Sequence, residues 1–315
     1  MRTVAVARNA MATRFEIVLH GEREPALRAA GEEALDEVQR IEALLSLYRP
    51  DSEVAHLNAR AAHEWVRVAP ELFHLLEKAK RLSAETDGAF DITVAPLMRC
   101  WGFAGAGGKM PSKSAIAEAR KSVGMDLVEL DSPQFRVHFT RPGVMLDFGA
   151  IGKGHAIEQA VEILREAGVR SAIIHGGTST VCGLGKPRDE SAWKIAIEAP
   201  PRNESEKPAL LSVVELRDES LSVSAVWGKS FDAKGKTYGH VIDPRTGYPA
   251  EDADLAAVVL PSATETDALS TALLTVGPKH HDRIASLRPA IRTLVVKRGR
   301  TGKRPLIKSQ NLEVL

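Results

Sequence analysis

The amino-acid sequence predicts an α/β (α+β) fold in which mixed, largely antiparallel sheets are flanked by helices. Short runs rich in β-branched and aromatic residues recur along the chain, and several are joined by turns. Between them lie longer stretches in which apolar residues return every three or four positions, as on the buried face of a helix. With 315 residues, 44% of them hydrophobic, the chain can bury a large core, in one elaborate domain or in two closely joined lobes.

The composition argues against several classes of partner and site. The formal net charge is +1, so no broad field attracts nucleic acid or an anionic membrane. Cys100 and Cys182 lie far apart, which argues against a disulfide framework or a zinc site, and we expect both to be buried. No stretch has the length of a signal peptide's apolar run or of a membrane span. We therefore expect a cytoplasmic protein that acts on a small molecule or a local protein segment.

The first half of the chain begins with two β-rich runs and continues mainly with helical patterns. The predicted elements are a hairpin of residues 3–6 and 15–19, helices over 22–47, 70–84 and 114–123, and strands over 127–130 and 136–139. The polar stretch 46–58 predicts a connection and a short helix, with Asp51 or Ser52 as its cap. Asp91 stands between apolar residues, where it either caps and braces a turn or contacts a ligand.

Residues 144–177 form the most informative stretch of the sequence. The pattern predicts a strand over 144–147, a glycine loop, a helix over 155–167 and a second strand that ends on Gly176 and Gly177. Glycines at 149, 152 and 154 would let a ligand approach the backbone, with the free N–H groups of the helix and Lys153 facing an anion. This indicates a phosphate site, although a simple tight turn explains the loop equally well.

The second half alternates strands and helices. The patterns predict a strand pair, 193–198 and 211–216, joined by the polar, proline-bearing loop 200–208, which we expect to be mobile. Further strands are predicted over 220–224, 255–260 and 291–296, and helices over 263–274 and 278–286. We expect His280 and His281 on the exposed side of the last helix.

Asp267 and Thr271 are four positions apart in a helical stretch, which places both oxygens on one helix face. A carboxylate and a hydroxyl suit Mg²⁺, which binds few protein ligands and completes its shell with water and phosphate oxygens. The alternative is structural, with Asp267 near the N-terminus of the helix and Thr271 in the core.

His240 precedes an apolar pair and a tight Pro-Arg-Thr-Gly turn, so its ring is expected to be held in place. A histidine held in this way can accept a proton from an attacking hydroxyl or orient a phosphate. A purely structural, hydrogen-bonded histidine is the alternative. Together with the glycine loop and the Asp267–Thr271 pair, His240 favours a Mg²⁺-dependent site for a phosphate-bearing ligand.

Six ordered blocks of the sequence resemble the ApbE family, the FAD:protein FMN transferases. The resemblance runs from Met11 to about Gly277 and rests on MATRF, SLYRPDSEVAHLN, DGAFDITVAPLMRCWGF, LDFGAIGKGHA, HVIDPRTGYP and TETDALSTALLTVG. It implies a single ApbE-like flavin transferase domain over residues 1–315, built from two intimately packed lobes with the FAD site between them. It also implies Mg²⁺-dependent transfer of FMN from FAD to a Ser or Thr hydroxyl of an acceptor protein, with release of AMP.

The resemblance also implies which residues form the site. FAD, the substrate, would be bound by residues that match the family pattern: Met11, Tyr48, Ala89, Phe90, Asp91, Asp147, Lys153 and Ile242. Mg²⁺ would be held by the backbone carbonyl of Ala150 and the side chains of Asp267 and Thr271, and His240 would be the catalytic base. Two alternatives remain for the function: a Mg²⁺-dependent pyrophosphatase that splits FAD into FMN and AMP, and a non-catalytic FAD-binding protein.

The chain departs from the family pattern at three positions. Thr178 stands where an Asp usually follows the central glycines, and Trp227 lies where a Ser-Gly pair is usual. Ala12 replaces a common Gly. We expect these departures to affect the docking of the acceptor and the rate more than the binding of FAD.

Overall fold

A computed structural model describes residues 2–105, 107–200, 209–228, 230–233, 235–299 and 304–315. The helices are α1 Glu24–Leu45, α2 Glu53–Arg60, α3 Pro70–Glu85, α4 Ala95–Cys100, α5 Lys113–Arg120, α6 Gly152–Glu166, α7 Ala263–Val276 and α8 His281–Ala285. The first strands are β1 Arg2–Ala10, β2 Thr13–Gly21, β3 Val66–Arg67, β4 Val128–Asp131, β5 Arg136–Phe139, β6 Ser171–Gly176, β7 Thr180–Gly185 and β8 Trp193–Glu198. The later strands are β9 Leu210–Leu216, β10 Glu219–Ala225, β11 Ser230–Ala233, β12 Lys236–Gly239, β13 Leu255–Leu260, β14 Arg292–Lys297 and β15 Leu306–Gln310.

An eight-stranded sheet organises the fold. Its strand order is β1-β2-β6-β7-β10-β13-β14-β15, and every neighbouring pair is antiparallel. Among the described residues there are also a three-stranded sheet, β3-β5-β4, and the two-stranded pairs β8-β9 and β11-β12. The prediction of helices with largely antiparallel sheets is confirmed.

The two faces of the large sheet are covered differently. One face packs on α1, α6 and α7 through an extended apolar core that includes Ile17, Ile174 and Val258. The opposite face packs on the β8-β9 pair, where Ile197 and Val214 join a second apolar cluster. The sheet therefore lies between a helical layer and a hairpin layer.

The predicted strand over residues 144–147 is wrong. The side chain of Asn58 takes the place of a neighbouring strand: its Nδ2 donates to the Leu146 carbonyl at 3.0 Å, and its Oδ1 accepts from the Leu146 amide at 2.8 Å. The Asp147 amide donates to the Ile92 carbonyl at 2.7 Å. The segment is thus extended, but it bonds to one side chain and one isolated carbonyl and not to a neighbouring strand. Among the described residues, no sheet includes it.

Several local predictions can be compared directly with the structure. Ser52 caps α2, because its Oγ accepts from the Ala55 amide at 2.9 Å. Cys182 is buried but Cys100 is only half-buried. His281 was expected on the surface, but this is wrong: it is only 3% exposed, and its Nε2 lies 2.8 Å from Thr293 Oγ1.

The expected mobile loop falls almost entirely on residues 201–208, outside the described residues. Within the described part of the chain, no helix combines the length and the apolar character needed to cross a bilayer.

Candidate functional site

One cavity of about 1260 Å³ opens at the end of the large sheet that carries the β1-β2 turn. It is bounded by that turn, the loop after α1, the turn before residue 92, the glycine loop, α7 and the segment after β12. All twelve residues singled out in the sequence line it: Met11, Tyr48, Ala89, Phe90, Asp91, Asp147, Ala150, Lys153, His240, Ile242, Asp267 and Thr271. Residues from distant parts of the chain therefore meet in one place.

The glycine loop is not the open anion cradle that its sequence suggested. The helix α6 begins at Gly152, three residues earlier than predicted, and three of its first four amides already donate within the protein. The Gly152 amide donates to the Phe148 carbonyl at 2.7 Å and the His155 amide to the Ile151 carbonyl at 3.0 Å. The Gly154 amide donates to Asp267 Oδ2 at 2.9 Å. These three N–H groups already donate to acceptors within the protein, so they are not available to an anion.

The Asp267 carboxylate is surrounded by polar groups from several elements in this part of the site. The residue is 4% exposed, and besides the Gly154 amide it faces Thr180 Oγ1 at 3.5 Å and Lys153 Nζ at 3.9 Å. Behind Thr180, the buried Ser222 hydroxyl lies 3.2 Å from Thr180 Oγ1. The donors fix the plane of the carboxylate, which therefore needs little reorganisation to bind a cation.

Thr271 lies one helical turn after Asp267 and is half-buried. Its Oγ1 lies 3.3 Å from Ser224 Oγ and 3.3 Å from the Asp267 carbonyl oxygen. Asp267 and Thr271 do share one helix face at the cavity, as their spacing predicted. Asp267 is not simply a residue at the N-terminus of a helix, since its carboxylate bonds to another helix.

A second carboxylate joins α6 to α7. Glu158 Oε2 accepts from Ser262 Oγ at 2.6 Å and from the Thr264 amide at 2.8 Å, and Oε1 lies 3.3 Å from Lys78 Nζ. Burial alone would raise the pKa of Glu158, but its hydrogen bonds and Lys78 outweigh burial and lower it. The helix that carries Asp267 is thus anchored at its N-terminus by the helix that follows the glycine loop.

Asp91 braces the turn in which it lies. Its Oδ1 accepts from the Thr93 amide at 2.8 Å and the Thr93 hydroxyl at 2.5 Å, and its Oδ2 from Ser83 Oγ at 3.2 Å and the Met125 amide at 3.1 Å. Burial raises the pKa of Asp91. Of the two interpretations of Asp91, bracing is therefore observed. A direct contact with a ligand stays a prediction.

The turn after His240 is held as the sequence indicated. The Arg245 guanidinium binds the Asp243 carboxylate through Nε and Nη2, both at 2.9 Å, and the Trp101 indole donates to the Gly247 carbonyl at 2.8 Å. Ile242 bridges to Pro249, which closes the loop. His240 is half-buried at the start of this rigid segment and lines the cavity.

Comparison with known proteins decides the family. The model of the ApbE family matches residues 11–295, which is nearly the whole chain. The chain belongs to the ApbE family.

ApbE proteins from several bacteria are similar to this chain. A protein of Treponema pallidum named FAD:protein FMN transferase is 33% identical over 264 residues, covering 80% of this chain and 72% of the relative. The ApbE protein of Thermotoga maritima superposes with a TM-score of 0.87 at 28% identity, over 98% of this chain and 97% of that one. The flavinyl transferase ApbE of Pseudomonas stutzeri, in its apo form, gives 0.85 at 30% identity, over 98% and 95%.

The three departures from the ApbE pattern all line the same cavity. Ala12 has a φ of 58° in the β1-β2 turn, a left-handed conformation that a glycine adopts at lower cost. Trp227 is 39% exposed. This chain therefore differs from the usual ApbE pattern at the wall of the cavity.

Sequence reasoning missed other residues of the cavity. Glu42 of α1 holds the β1-β2 turn, since its Oε1 accepts from the Met11 amide at 2.6 Å. His175, whose Nδ1 lies 3.0 Å from the Gly177 carbonyl oxygen, lines the cavity beside the sheet. Its position immediately before two glycines at a strand end was a usable signal, whereas Glu42 resembles any polar residue on an amphipathic helix.

The residues proposed for Mg²⁺ fit that ion. Ala150, Asp267 and Thr271 can offer a carbonyl, a carboxylate and a hydroxyl oxygen, all hard donors. Within the described ranges, no group of three or more His, Cys, Asp or Glu side chains could form a metal cluster. A single prearranged carboxylate agrees with a cation that relies on water and phosphate oxygens for most of its shell.

Proposed function

We propose that this chain is a FAD:protein FMN transferase that depends on Mg²⁺ and releases AMP. The observation that carries the proposal is the convergence of all twelve assigned residues on one cavity of about 1260 Å³, in a chain of the ApbE family. A cavity of this size is large enough for a dinucleotide, since pockets for small ligands are typically about 300–1,000 Å³. The names of the relatives support the same activity.

In this proposal FAD is the substrate and lies against the walls of the cavity. Tyr48 is 70% exposed at the cavity and offers its ring to a planar group of the ligand. Lys153, with its Nζ 3.9 Å from Asp267 Oδ1, places a positive charge where the pyrophosphate would lie. The other proposed FAD contacts are Met11, Ala89, Phe90, Asp91, Asp147 and Ile242.

Ala150, Asp267 and Thr271 would hold Mg²⁺. The ion, when bound, neutralises charge on the pyrophosphate oxygens. The protein's part is to keep the Asp267 carboxylate oriented toward the cavity, which the hydrogen bond from the Gly154 amide and the nearby Lys153 ammonium both favour.

His240 would act as the base. The acceptor hydroxyl oxygen attacks the FMN-side phosphorus and forms a new P–O bond, while the bond from this phosphorus to the bridging oxygen breaks and AMP leaves with that oxygen. The hydroxyl proton passes to the His240 imidazole. Transfer of this kind needs mainly alignment and charge neutralisation, which a rigid cavity supplies.

The test measures AMP release from FAD by the purified chain. Parallel reactions contain Mg²⁺ or EDTA, with and without a pool of synthetic peptides that each carry one central Thr or Ser. We expect AMP only with Mg²⁺ and peptide, together with a peptide mass increased by FMN.

Each other outcome is informative. AMP and free FMN without peptide would replace the transferase with a pyrophosphatase. FAD binding with no AMP under any condition would leave a binding protein and overturn the proposal.

A further inference from the structure

The cavity extends beyond the twelve residues into a groove between the large sheet and β8. The floor of this groove is made by side chains on the hairpin-facing side of the sheet: Ile173, His175, Val181, Leu221 and Val223. None of them is among the proposed contacts of FAD or Mg²⁺. We call this region the β8 groove.

The wall of the β8 groove is the edge of a strand. Four consecutive residues of β8, from Ile195 to Glu198, line the cavity. Ile195 and Ile197 point toward the sheet and join its apolar cluster, whereas Ala196 and Glu198 point away and are exposed. Since successive side chains alternate between the two faces of a strand, a cavity lined by all four runs along the strand's edge.

That edge is unpaired within the described part of the chain. The only strand that pairs with β8 there is β9, and no residue of β9 lines the cavity. An unpaired edge presents a row of backbone N–H and C=O groups to any extended segment beside it. Four strand residues span about 13 Å, so the wall accommodates a segment of four or five residues.

The groove has a closed end and an open end. At the start of β8, the buried Trp193 stacks on His20 with ring centroids 5.5 Å apart and donates to the Leu184 carbonyl at 3.3 Å. The same cavity continues in the other direction to Trp227 and His240. A segment lying along β8 would therefore lead toward the proposed base.

We propose that the β8 groove binds the acceptor protein, whose Ser- or Thr-bearing segment adds to β8 as an extended strand. The inference rests on the proposed function and names how its protein substrate is recognised. Main-chain hydrogen bonds to β8 would supply affinity, and alternate side chains of the acceptor would rest on the floor formed by Ile173 and Val181. The exposed carboxylate of Glu198 favours a basic residue in the segment that lies along β8.

The experiment begins with an immobilised library of ten-residue peptides, each with one central Thr and otherwise random. Incubation with the chain, FAD and Mg²⁺ marks the acceptors by covalently retained flavin fluorescence. One selected peptide is resynthesised with a single N-methyl group at each backbone amide in turn. Strand addition predicts that methylation of alternate amides raises KM about 3- to 10-fold, with little effect at the amides between them.

A pair of variants tests the groove from the protein side. Ile173→Asp places a charge on the floor, whereas Val213→Asp places the same charge on the exposed face of β9, opposite Ala196 and outside the cavity. We expect Ile173→Asp to raise KM for the peptide about tenfold with unchanged FAD binding, because a bound segment would bury the unpaired charge and this is costly. Val213→Asp should change neither KM nor FAD binding, because its charge stays exposed.

The outcomes separate the inference from the proposed function. If no peptide in the library gains FMN, the proposed function fails and this inference fails with it. Flavinylated peptides whose N-methyl series shows no alternation would keep the transferase and overturn strand addition. If Ile173→Asp converts a dimer into a monomer and leaves peptide KM unchanged, the groove is an interface between copies of this chain.

Discussion

Replacing Gly154 by alanine should separate the two helices on which the proposed metal site is built. A Cβ added at Gly154 would lie 2.1 Å from the Ala263 carbonyl oxygen and 2.7 Å from Asp267 Cβ. Both atoms belong to α7, and the nearer one is backbone, so no side-chain rotation relieves the clash. The helices would have to move apart by about 1 Å, which breaks the 2.9 Å bond from the Gly154 amide to Asp267 Oδ2.

The magnitude follows from these contacts. Overpacking typically costs about 1–3 kcal/mol, and loss of a hydrogen bond to a carboxylate costs about 1.5–3 kcal/mol. Alanine's better helix propensity returns at most about 1 kcal/mol. We expect Gly154→Ala to lower the free energy of unfolding by about 3 kcal/mol. Gly152→Ala is the matched control, because its Cβ would meet only Leu45 Cδ1 at 3.5 Å and Phe148 Cβ at 3.7 Å.

Urea unfolding followed by circular dichroism measures both variants against the parent. Gly152→Ala should stay within about 1 kcal/mol of the parent. Mg²⁺ titration of AMP release then reports on Asp267, with Gly154→Ala needing more Mg²⁺ and Gly152→Ala behaving as the parent. Equal stability of the two variants would refute the argument that α6 and α7 need glycine at this contact.

Three further predictions concern side chains around the cavity. His240→Ala should slow transfer by about 10²- to 10⁴-fold without weakening FAD binding, and stopped-flow rates equal to those of the parent would remove His240 as the base. Asp267→Ala should abolish Mg²⁺-dependent AMP release from a protein that stays folded by circular dichroism; undiminished turnover would remove Asp267 from the metal site. The pKa of Glu158 is lowered on folding, so its contribution to stability is present above its ordinary pKa and lost as pH falls through the lower folded value. Glu158→Gln should therefore reduce the free energy of unfolding at pH 7 and make it fall less steeply in acid. Urea titrations of the parent and the variant at pH 7 and at acidic pH measure this. An equal fall of the free energy of unfolding in the two proteins would contradict the prediction.

Elements defined by local pattern were predicted well. The strands β8 and β13 match their predicted bounds, and α7 begins at the predicted residue, where Ser262 caps it through the Glu265 amide. These segments have strong apolar periodicity and clear end signals, so tertiary contacts had little to change. The candidate site residues were predicted mainly from the resemblance of six ordered motif blocks to the ApbE family. The structure brings all twelve to one cavity.

The failures have long-range causes. Residues 144–147 have the pattern of a strand, but their partner is the side chain of Asn58, 88 positions from Leu146. The strand β7 was missed because Gly183 weakens its β pattern. The structure needs a small residue there, since a Cβ would lie 2.7 Å from Trp193. The loop amides looked available because the bond from Gly154 to Asp267 joins positions 113 apart.

The strand order of the large sheet has a consequence for how the chain is made. From β1 to β15, each strand of that sheet lies beside the one that precedes it there in the sequence. A ribosome that delivers the chain from its N-terminus can thus extend the sheet at one growing edge, and no finished pair has to reopen to admit a later strand. The cavity is completed much later, because Asp267 and Thr271 come after β13. During synthesis, a partly emerged chain would possess most of its sheet and still lack the proposed Mg²⁺ ligands of α7.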